Sequence, residues 1–313
     1  MKVVSNFRLA NYRGSHDIAV HDDIAYVCNY WKSTLIAIDL KDLQNLSLIS
    51  LLKEESTRGI HDIAIIDNMA YTTNCLDNSI AAIDISDPYN MKVISSLKND
   101  KVLNLVHALC VTKDYIYAGS HKGFHIGHYF SIIDRTKMSI ISSISTKLRI
   151  RGVCFNEGYC FASSPDGFLI VIDVSDPTNI QICSILDICG YNTSKRNLTS
   201  NIRYVNGIVY ITFGKCQALI AVDVSSVNNP VILSGLEVSR PNYLEVHNNH
   251  IYVSSCKEFK KITVVDISEP NSIEEVDSIT HNDLEFSCGL QYYKGHLLCC
   301  SRDSKNILTV IKV

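Results

Sequence analysis

The chain repeats one pattern from end to end, and this repetition limits its possible folds more than any other feature. In the clearest copy, Arg-Gly-Ile-His-Asp-Ile-Ala-Ile at 58–65 precedes Met-Ala-Tyr-Thr-Thr at 69–73 and Ile-Ala-Ala-Ile-Asp-Ile-Ser-Asp-Pro at 80–88. A period of about 45 residues, with apolar runs too short to bury themselves alone, is typical of a solenoid or a propeller. The sequence therefore predicts a single repeat domain over residues 1–313.

Seven copies align on a residue, usually aromatic, that ends an Ile-Ala-Tyr-like run. Ten residues before it lies a fixed position, and neighbouring copies are 42 to 49 residues apart there. We call the residues at this position the ring residues, because equivalent positions in a closed ring of repeats surround one axis. The ring residues are His16, His61, His107, Arg151, Ser200, Asn242 and Cys288.

Each copy contains four short runs that read as β-strands. Two-residue alternation and β-branched residues support this interpretation, and Asn-Gly at 206–207 fits a hairpin turn between the first two runs. The seventh copy stops after its third run, while residues 2–7 resemble the fourth runs of other copies. We therefore expect an all-β, seven-bladed propeller with four-stranded blades, in which residues 286–313 and 2–9 together form the last blade.

The apolar runs that end in Asp resemble those of the LVIVD-repeat propeller family. Leu-Ile-Val-Ile-Asp at 169–173, followed by Val-Ser-Asp-Pro, and Leu-Ile-Ala-Ile-Asp at 35–39 carry the resemblance, together with His-Asp-Ile-Ala at 16–19 and 61–64. The resemblance extends over the whole chain and implies the propeller architecture. It implies no particular activity, because propellers host unrelated functions.

Composition narrows the class of protein. The 29 basic and 32 acidic residues nearly balance, so we expect no nucleic-acid partner. No apolar run reaches the roughly 18 residues of a membrane span, and the first residues lack the apolar core of a secretory signal. Most of the 12 cysteines lie inside strand-like runs, without the spaced framework of a secreted mini-domain. We expect a soluble, intracellular, cytoplasmic protein.

Three consecutive ring residues are histidines. In a propeller the first strand of each blade is innermost, so His16, His61 and His107 should meet at one mouth of the central channel, where three imidazoles could bind a divalent metal. A structural role, in which each imidazole bonds to the neighbouring blade, is the alternative. Strict alternation places Asp17 and Asp62 on the opposite strand face, away from the imidazoles.

Positive charge gathers near the same mouth. Arginines precede or occupy the ring positions, and loops after the second strands add further basic residues. Guanidinium forks suit carboxylate and phosphate groups, so we expect a small anionic ligand or an acidic peptide. The predicted ligand-binding residues are Arg13, Arg58, Arg151, Ser200, Arg240, Asn242, Lys257 and Arg302.

The sequence offers little support for catalysis. It contains no Gly-x-Ser-x-Gly, no phosphate-binding glycine loop and no Cys-x-x-Cys. The ring positions also carry no paired carboxylates of the kind that glycosidases need. A non-catalytic binding scaffold is the leading hypothesis. The alternative is a metal-dependent enzyme, with His16, His61 and His107 as ligands and Arg151 fixing an anionic substrate.

Overall fold

The computed structural model describes residues 1–121, 127–189, 200–256, 259–302 and 304–313, which form seven four-stranded antiparallel sheets. Two single-turn 3-10 helices, Glu55–Thr57 and Asn282–Leu284, precede the second and seventh innermost strands. The strands β1 to β28, in chain order, are Lys2–Arg8, Ser15–His21, Ile24–Asn29, Thr34–Asp39, Ser47–Leu52, Ile60–Ile66, Met69–Asn74, Ser79–Asp84, Lys92–Lys98, Val106–Val111, Tyr115–Ser120, Tyr129–Asp134, Ser139–Ser145, Gly152–Asn156, Tyr159–Ser164, Phe168–Asp173, Gln181–Asp187, Ser200–Val205, Ile208–Phe213, Ala218–Asp223, Val231–Glu237, Pro241–His247, His250–Ser255, Lys261–Asp266, Glu274–Thr280, Ser287–Tyr293, His296–Ser301 and Asn306–Lys312.

The first and last strands close the ring. β1 pairs antiparallel with β28, with Lys2 opposite Lys312 and Phe7 opposite Leu308, so the last sheet has the order β1-β28-β27-β26. The other six sheets each take four consecutive strands. The predicted seven-bladed propeller, closed by the N-terminal strand, is confirmed. Among the described residues, no helix is long and apolar enough to cross a membrane.

The core lies between neighbouring blades. Tyr26 and Ala37 of the first blade pack in one buried cluster with Ile60 and Ile83 of the second. Each fully buried large apolar side chain contributes about 1.5 to 3 kcal/mol. A single sheet has no such partner surface, which explains why the repeat is stable only as a ring.

Two of the most regular features of the repeat serve the fold. The Asp that closes six of the seven third strands accepts a hydrogen bond from the backbone N–H two residues later, as Asp84 does from Ser86 at 2.9 Å and Asp266 from Ser268 at 2.7 Å. Fourth-strand serines donate to a carbonyl of the next blade, as Ser142 does to Pro177 at 2.6 Å. Aspartate favours such turns because its carboxylate mimics a turn hydrogen bond.

The innermost strands surround the channel, and five of them are irregular at the ring position. The pairing register shifts between Ser15 and Asp17 in the first blade and between Ile60 and Ile63 in the second, with similar shifts in the third, sixth and seventh. A bulge of this kind breaks strict alternation and re-aims side chains. The residues on both sides of the bulge are therefore free to serve the channel.

Candidate functional site: the channel mouth

The ring closure brings the three ring histidines side by side. The ring centroids of His16 and His61 are 4.5 Å apart, and those of His61 and His107 are also 4.5 Å apart. His121, at the end of the next strand out, continues the row 4.9 Å from His107, and Tyr30 lies 5.1 Å from His16. Five rings thus form one aromatic row along one side of the mouth.

The imidazoles in this row favour the neutral form. Burial, and then the charges of Arg302 and Arg151, hold the pKa of His16 well below its usual value. Burial, followed by the neighbouring His16 and His107, does the same for His61. Burial and the charge of Arg151 lower the pKa of His107 to about 3. A neutral imidazole offers one donor and one acceptor, so the row can donate hydrogen bonds at neutral pH.

Two of the predicted arginines stand beside this row. Arg302 lies over two aromatic rings, with its Cζ 5.0 Å from the centroid of Phe286 and 6.0 Å from that of Trp31. Stacking holds the guanidinium plane and leaves its edge free for an anion. Neither Arg302 nor Arg151 forms an ion pair with a residue that the structure describes. In the described part of the chain, no carboxylate pairs with either of these two positive charges at the mouth.

The other predicted ligand-binding residues differ in solvent exposure. Arg13 and Arg58 are exposed, and Arg58 pairs with Glu55 at 3.0 Å. Asn242 is buried and already donates from Nδ2 to the carbonyl of Ser287 at 2.9 Å. Arg240 is half-buried, while Lys257 lies outside the described residues.

In the fourth blade, the charge of Arg149 is offset by the Asp166 carboxylate of the same blade. Arg149 donates from Nε to Asp166 at 3.0 Å and makes a second bond from a terminal nitrogen, and the Lys215 ammonium donates to the Asp166 carbonyl at 2.8 Å. Nearby, Cys189 and Cys216 form a disulfide, which the expectation of simple apolar fillers did not anticipate. Residues 122–126 and 190–199 lie outside the described residues.

The three-histidine metal site stays a prediction. The imidazoles are neighbours, as the repeat spacing requires, yet they pack as tilted and edge-on rings. Within the described ranges, no group of three or more His, Cys, Asp or Glu side chains is placed to hold a metal ion.

A second layer of channel residues lies one position after the ring residues, and sequence reasoning missed its importance. It surrounds a cavity of about 270 Å³ lined by innermost-strand residues of six blades. Asp17 and Asp62 both line this cavity, whose lining includes none of the three ring histidines. The second-layer residues are Asp17, Asp62, Ala108, Gly152, Asn201, Tyr243 and Gly289.

The two second-layer aspartates are paired, so the channel does contain neighbouring carboxylates. Asp17 accepts a hydrogen bond from the N–H of Ile63 at 3.1 Å, and Asp62 accepts from the N–H of Leu109 at 3.0 Å. Each therefore satisfies an edge N–H of the next blade. Burial raises the pKa of Asp17, and burial together with the charge of Asp17 raises the pKa of Asp62 further.

Cys288 is the one ring thiol, and it is unreactive. Its side chain is buried, and burial raises its pKa well above the usual value. The thiolate is the reactive form of cysteine, so this position has no nucleophile at neutral pH.

Comparison with known proteins finds the same repeat. The LVIVD repeat model matches residues 58–98, 151–188 and 243–281. The chain is a seven-bladed propeller that carries LVIVD repeats. None of the curated proteins matches this LVIVD-repeat chain significantly.

Two solved structures share the fold of this LVIVD-repeat propeller. One is a functionally unknown protein from Desulfotomaculum acetoxidans, with a TM-score of 0.70 and 11% identity over 91% of this chain and 94% of that chain. The other is the computationally designed Ika8 protein, with a TM-score of 0.66 and 10% identity over 100% of both chains. At these identities the likeness concerns architecture alone. The LVIVD-repeat propeller is a repeat scaffold, and its chemistry must be argued from its own residues.

Proposed function

We propose that the protein is a non-catalytic binding propeller whose channel mouth binds a small anionic group, a carboxylate or a phosphate. The residues that we assign to this site are Arg151, Arg302, Ser200, His16, His61 and His121.

One observation carries this proposal: buried polar atoms without partners converge at the mouth. The Nε2 atoms of His16 and His121, Nδ1 of His61, Oγ of Ser200 and Nε of Arg302 have no hydrogen-bond partner among the described residues. Leaving a buried polar group unsatisfied costs about 1 to 3 kcal/mol. The Arg302 Nε can only donate, so it requires an acceptor.

The charge balance supports an acceptor that is negative. Arg151 and Arg302 both lower the pKa of His16, so their charges act at the imidazole row. The nearest arginine with a carboxylate partner is Arg149, whose charge Asp166 offsets. An anion would compensate the two remaining guanidiniums and accept from the unpaired donors at the same time.

Neutral imidazoles suit this task better than charged ones. Three adjacent imidazolium ions would repel one another and the arginines, whereas neutral rings supply N–H donors at no electrostatic cost. A purely structural role for the histidines does not account for all of their buried nitrogens. His107 bonds to the Leu105 carbonyl through Nδ1 at 2.6 Å, but the inward nitrogens of its neighbours bond to nothing described.

Calorimetric titration with inorganic phosphate tests the proposal. Replacing Arg302 or Arg151 by Gln removes a charge-assisted bond worth about 1.5 to 3 kcal/mol, so each variant should bind phosphate roughly ten to a hundred times more weakly. Arg135→Gln is the matched control, because Arg135 follows a third strand and bonds to Lys113 and Tyr71 at the opposite face. Equal phosphate affinity in all four proteins would refute the anion site.

The source of the anionic group can be resolved in the same titration. Acetate and a penta-glutamate peptide carry the same carboxylate, one free and one attached to a chain. Tighter binding of the peptide, lost in Arg302→Gln, identifies an acidic peptide as the ligand. Binding of phosphate or acetate alone identifies a small free anion.

A further inference from the structure

The cavity below the ring residues has the properties of a second binding site. At about 270 Å³ it approaches the roughly 300 to 1,000 Å³ of small-molecule pockets. Of the small second-layer residues, Gly152 lies in its wall. A Cβ on Gly289 would lie 2.7 Å from the Asp17 Cα and 2.7 Å from its Oδ1, so only glycine lets this carboxylate occupy its position.

The carboxylates of this cavity lack a cationic partner. Neither Asp17 nor Asp62 forms an ion pair with any residue in the described ranges. Arg203 is the cation in the cavity lining, and its guanidinium is already engaged. It donates to the Asn201 Oδ1 at 3.2 Å and to the Ile202 carbonyl at 3.0 Å.

Arg203 also has its own counter-charge. Its guanidinium lies 4.0 Å from Glu245, whose carboxylate accepts from Gln291 at 3.0 Å and from the N–H of Tyr292 at 3.1 Å. The charge of Arg203 is therefore shared with Glu245. Asp17 and Asp62 lie beside an open volume with no ion pair to a described residue.

A tyrosine in the wall offers a further contact to an occupant of this volume. Tyr243 is only 8% exposed and lines the cavity, and its hydroxyl has no hydrogen bond to a described residue. The hydroxyl oxygen is not enclosed, so it is available to a ligand or to water in the cavity. Its aromatic ring is also a favourable surface for an ammonium group.

The remaining wall excludes a bare metal ion as the natural occupant. Ile63, Leu109, Val111 and Val153 supply aliphatic surface to the lining. No group of metal-binding side chains occurs among the described residues. A hard cation needs six to eight oxygen ligands, which this wall does not offer.

We propose that the chamber is a binding site for a small organic cation, whose ammonium group lies against Asp17 and Asp62 and whose carbon atoms lie against the aliphatic wall and Tyr243. This site is separate from the anion site at the mouth and rests on different residues.

Calorimetric titration of the full chain with n-propylammonium chloride tests this assignment. We expect saturable binding that is at least tenfold weaker in Asp62→Asn, because the amide keeps an acceptor for the Leu109 N–H but cannot ionise beside an ammonium group. Asp84→Asn, at the end of a third strand, is the matched control, and Arg302→Gln separates this site from the mouth. Both should bind propylammonium within twofold of the original protein.

Neutral n-propanol and calcium chloride complete the test. Equal binding of propanol, preferential binding of calcium, or unchanged propylammonium affinity in Asp62→Asn would each overturn the assignment. Tyr243→Phe provides a second variant that keeps the ring and the packing, and it should weaken propylammonium binding severalfold. Full propylammonium affinity in both single variants, Tyr243→Phe and Asp62→Asn, would also contradict the proposal.

Discussion

Two adjacent layers of the channel differ in almost every property, although one residue separates them along each innermost strand. The ring layer carries histidines and an arginine, with positive charge and with buried polar atoms that have no partner among the described residues. The second layer carries an aspartate pair, three small residues and a cavity. His16 and Asp17, or His61 and Asp62, therefore belong to opposite electrostatic environments.

The difference between the two layers shows which positions of the repeat are free to vary from blade to blade. Positions such as the third-strand Asp are the same in almost every blade, because each blade needs the same turn. The two channel layers vary from blade to blade, since seven different side chains share one axis. Chemistry in this propeller is concentrated where the repeat is least regular.

Low pH should have the largest effect, because it should destabilise the ring layer and lower the free energy of unfolding. The pKa of His107 is lowered to about 3, whereas an imidazole in the unfolded chain titrates near 6.5. Below pH 6.5 only the unfolded chain gains a proton there, so stability present at pH 7 is lost, by about 2 kcal/mol at pH 5 for this single imidazole. Chemical denaturation at pH 7, 6 and 5 measures the loss. His107→Gln should lose about 2 kcal/mol less, and an identical profile would contradict the assignment.

Adding one methyl group to the second layer should have the next largest effect. Gly289→Ala places its Cβ 2.7 Å from the Asp17 backbone, which cannot move freely. We expect a loss of about 1 to 3 kcal/mol in the free energy of unfolding, typical of overpacking. Gly207→Ala is a poor control because of its positive φ, so Cys288→Ala, one residue away in the ring layer, is the better reference. Denaturant titration should rank Gly289→Ala as the less stable of the two if the chamber is tightly packed around Asp17.

Removing the charge of Asp62 should stabilise the second layer. Burial, and then the charge of Asp17, raise the pKa of Asp62, so ionising it disfavours the folded state at neutral pH. Asp62→Asn should raise the free energy of unfolding by about 1 kcal/mol at pH 7. The gain should shrink as the pH falls toward the ordinary carboxyl pKa of about 4, where the unfolded chain becomes protonated as well. A loss of stability at pH 7 would show that the pair is favourable as it stands.

The smallest expected effect is that of Ser200→Ala in the ring layer. The Ser200 hydroxyl is buried without a partner among the described residues, so its removal should stabilise the ligand-free protein by up to about 1 kcal/mol. The same variant should bind phosphate severalfold more weakly. Thermal melts with and without phosphate measure both effects. A variant that is less stable without phosphate would contradict an unsatisfied hydroxyl.

The architecture was predictable because it follows from the number of repeats and from the match between the first and last strands. Seven copies, a missing final strand and a matching first strand require a closed ring, and a closed ring makes His16, His61 and His107 neighbours. The apolar periodicity also gave the strand positions to within a residue or two. These features are local or symmetric, and a single sequence contains them.

The charge partners were not predictable in the same way. Nothing in the sequence distinguishes Arg58, paired with Glu55, from Arg302, which stacks on Phe286. Loop conformation decides such contacts. The chamber was missed because the sequence does not show that Asp17, Asp62 and Tyr243 share one cavity wall.

Anomalous diffraction from crystals soaked in selenate tests the central claim most directly, because selenate has the charge and shape of a tetrahedral oxyanion. We expect one strong selenium peak at the mouth, within hydrogen-bond distance of the Arg302 and Arg151 guanidiniums and of His16 Nε2. We expect no selenium peak in the chamber beside Asp17 and Asp62. A mouth without a peak, or a peak in the chamber, would contradict the assignment of opposite charges to the two layers.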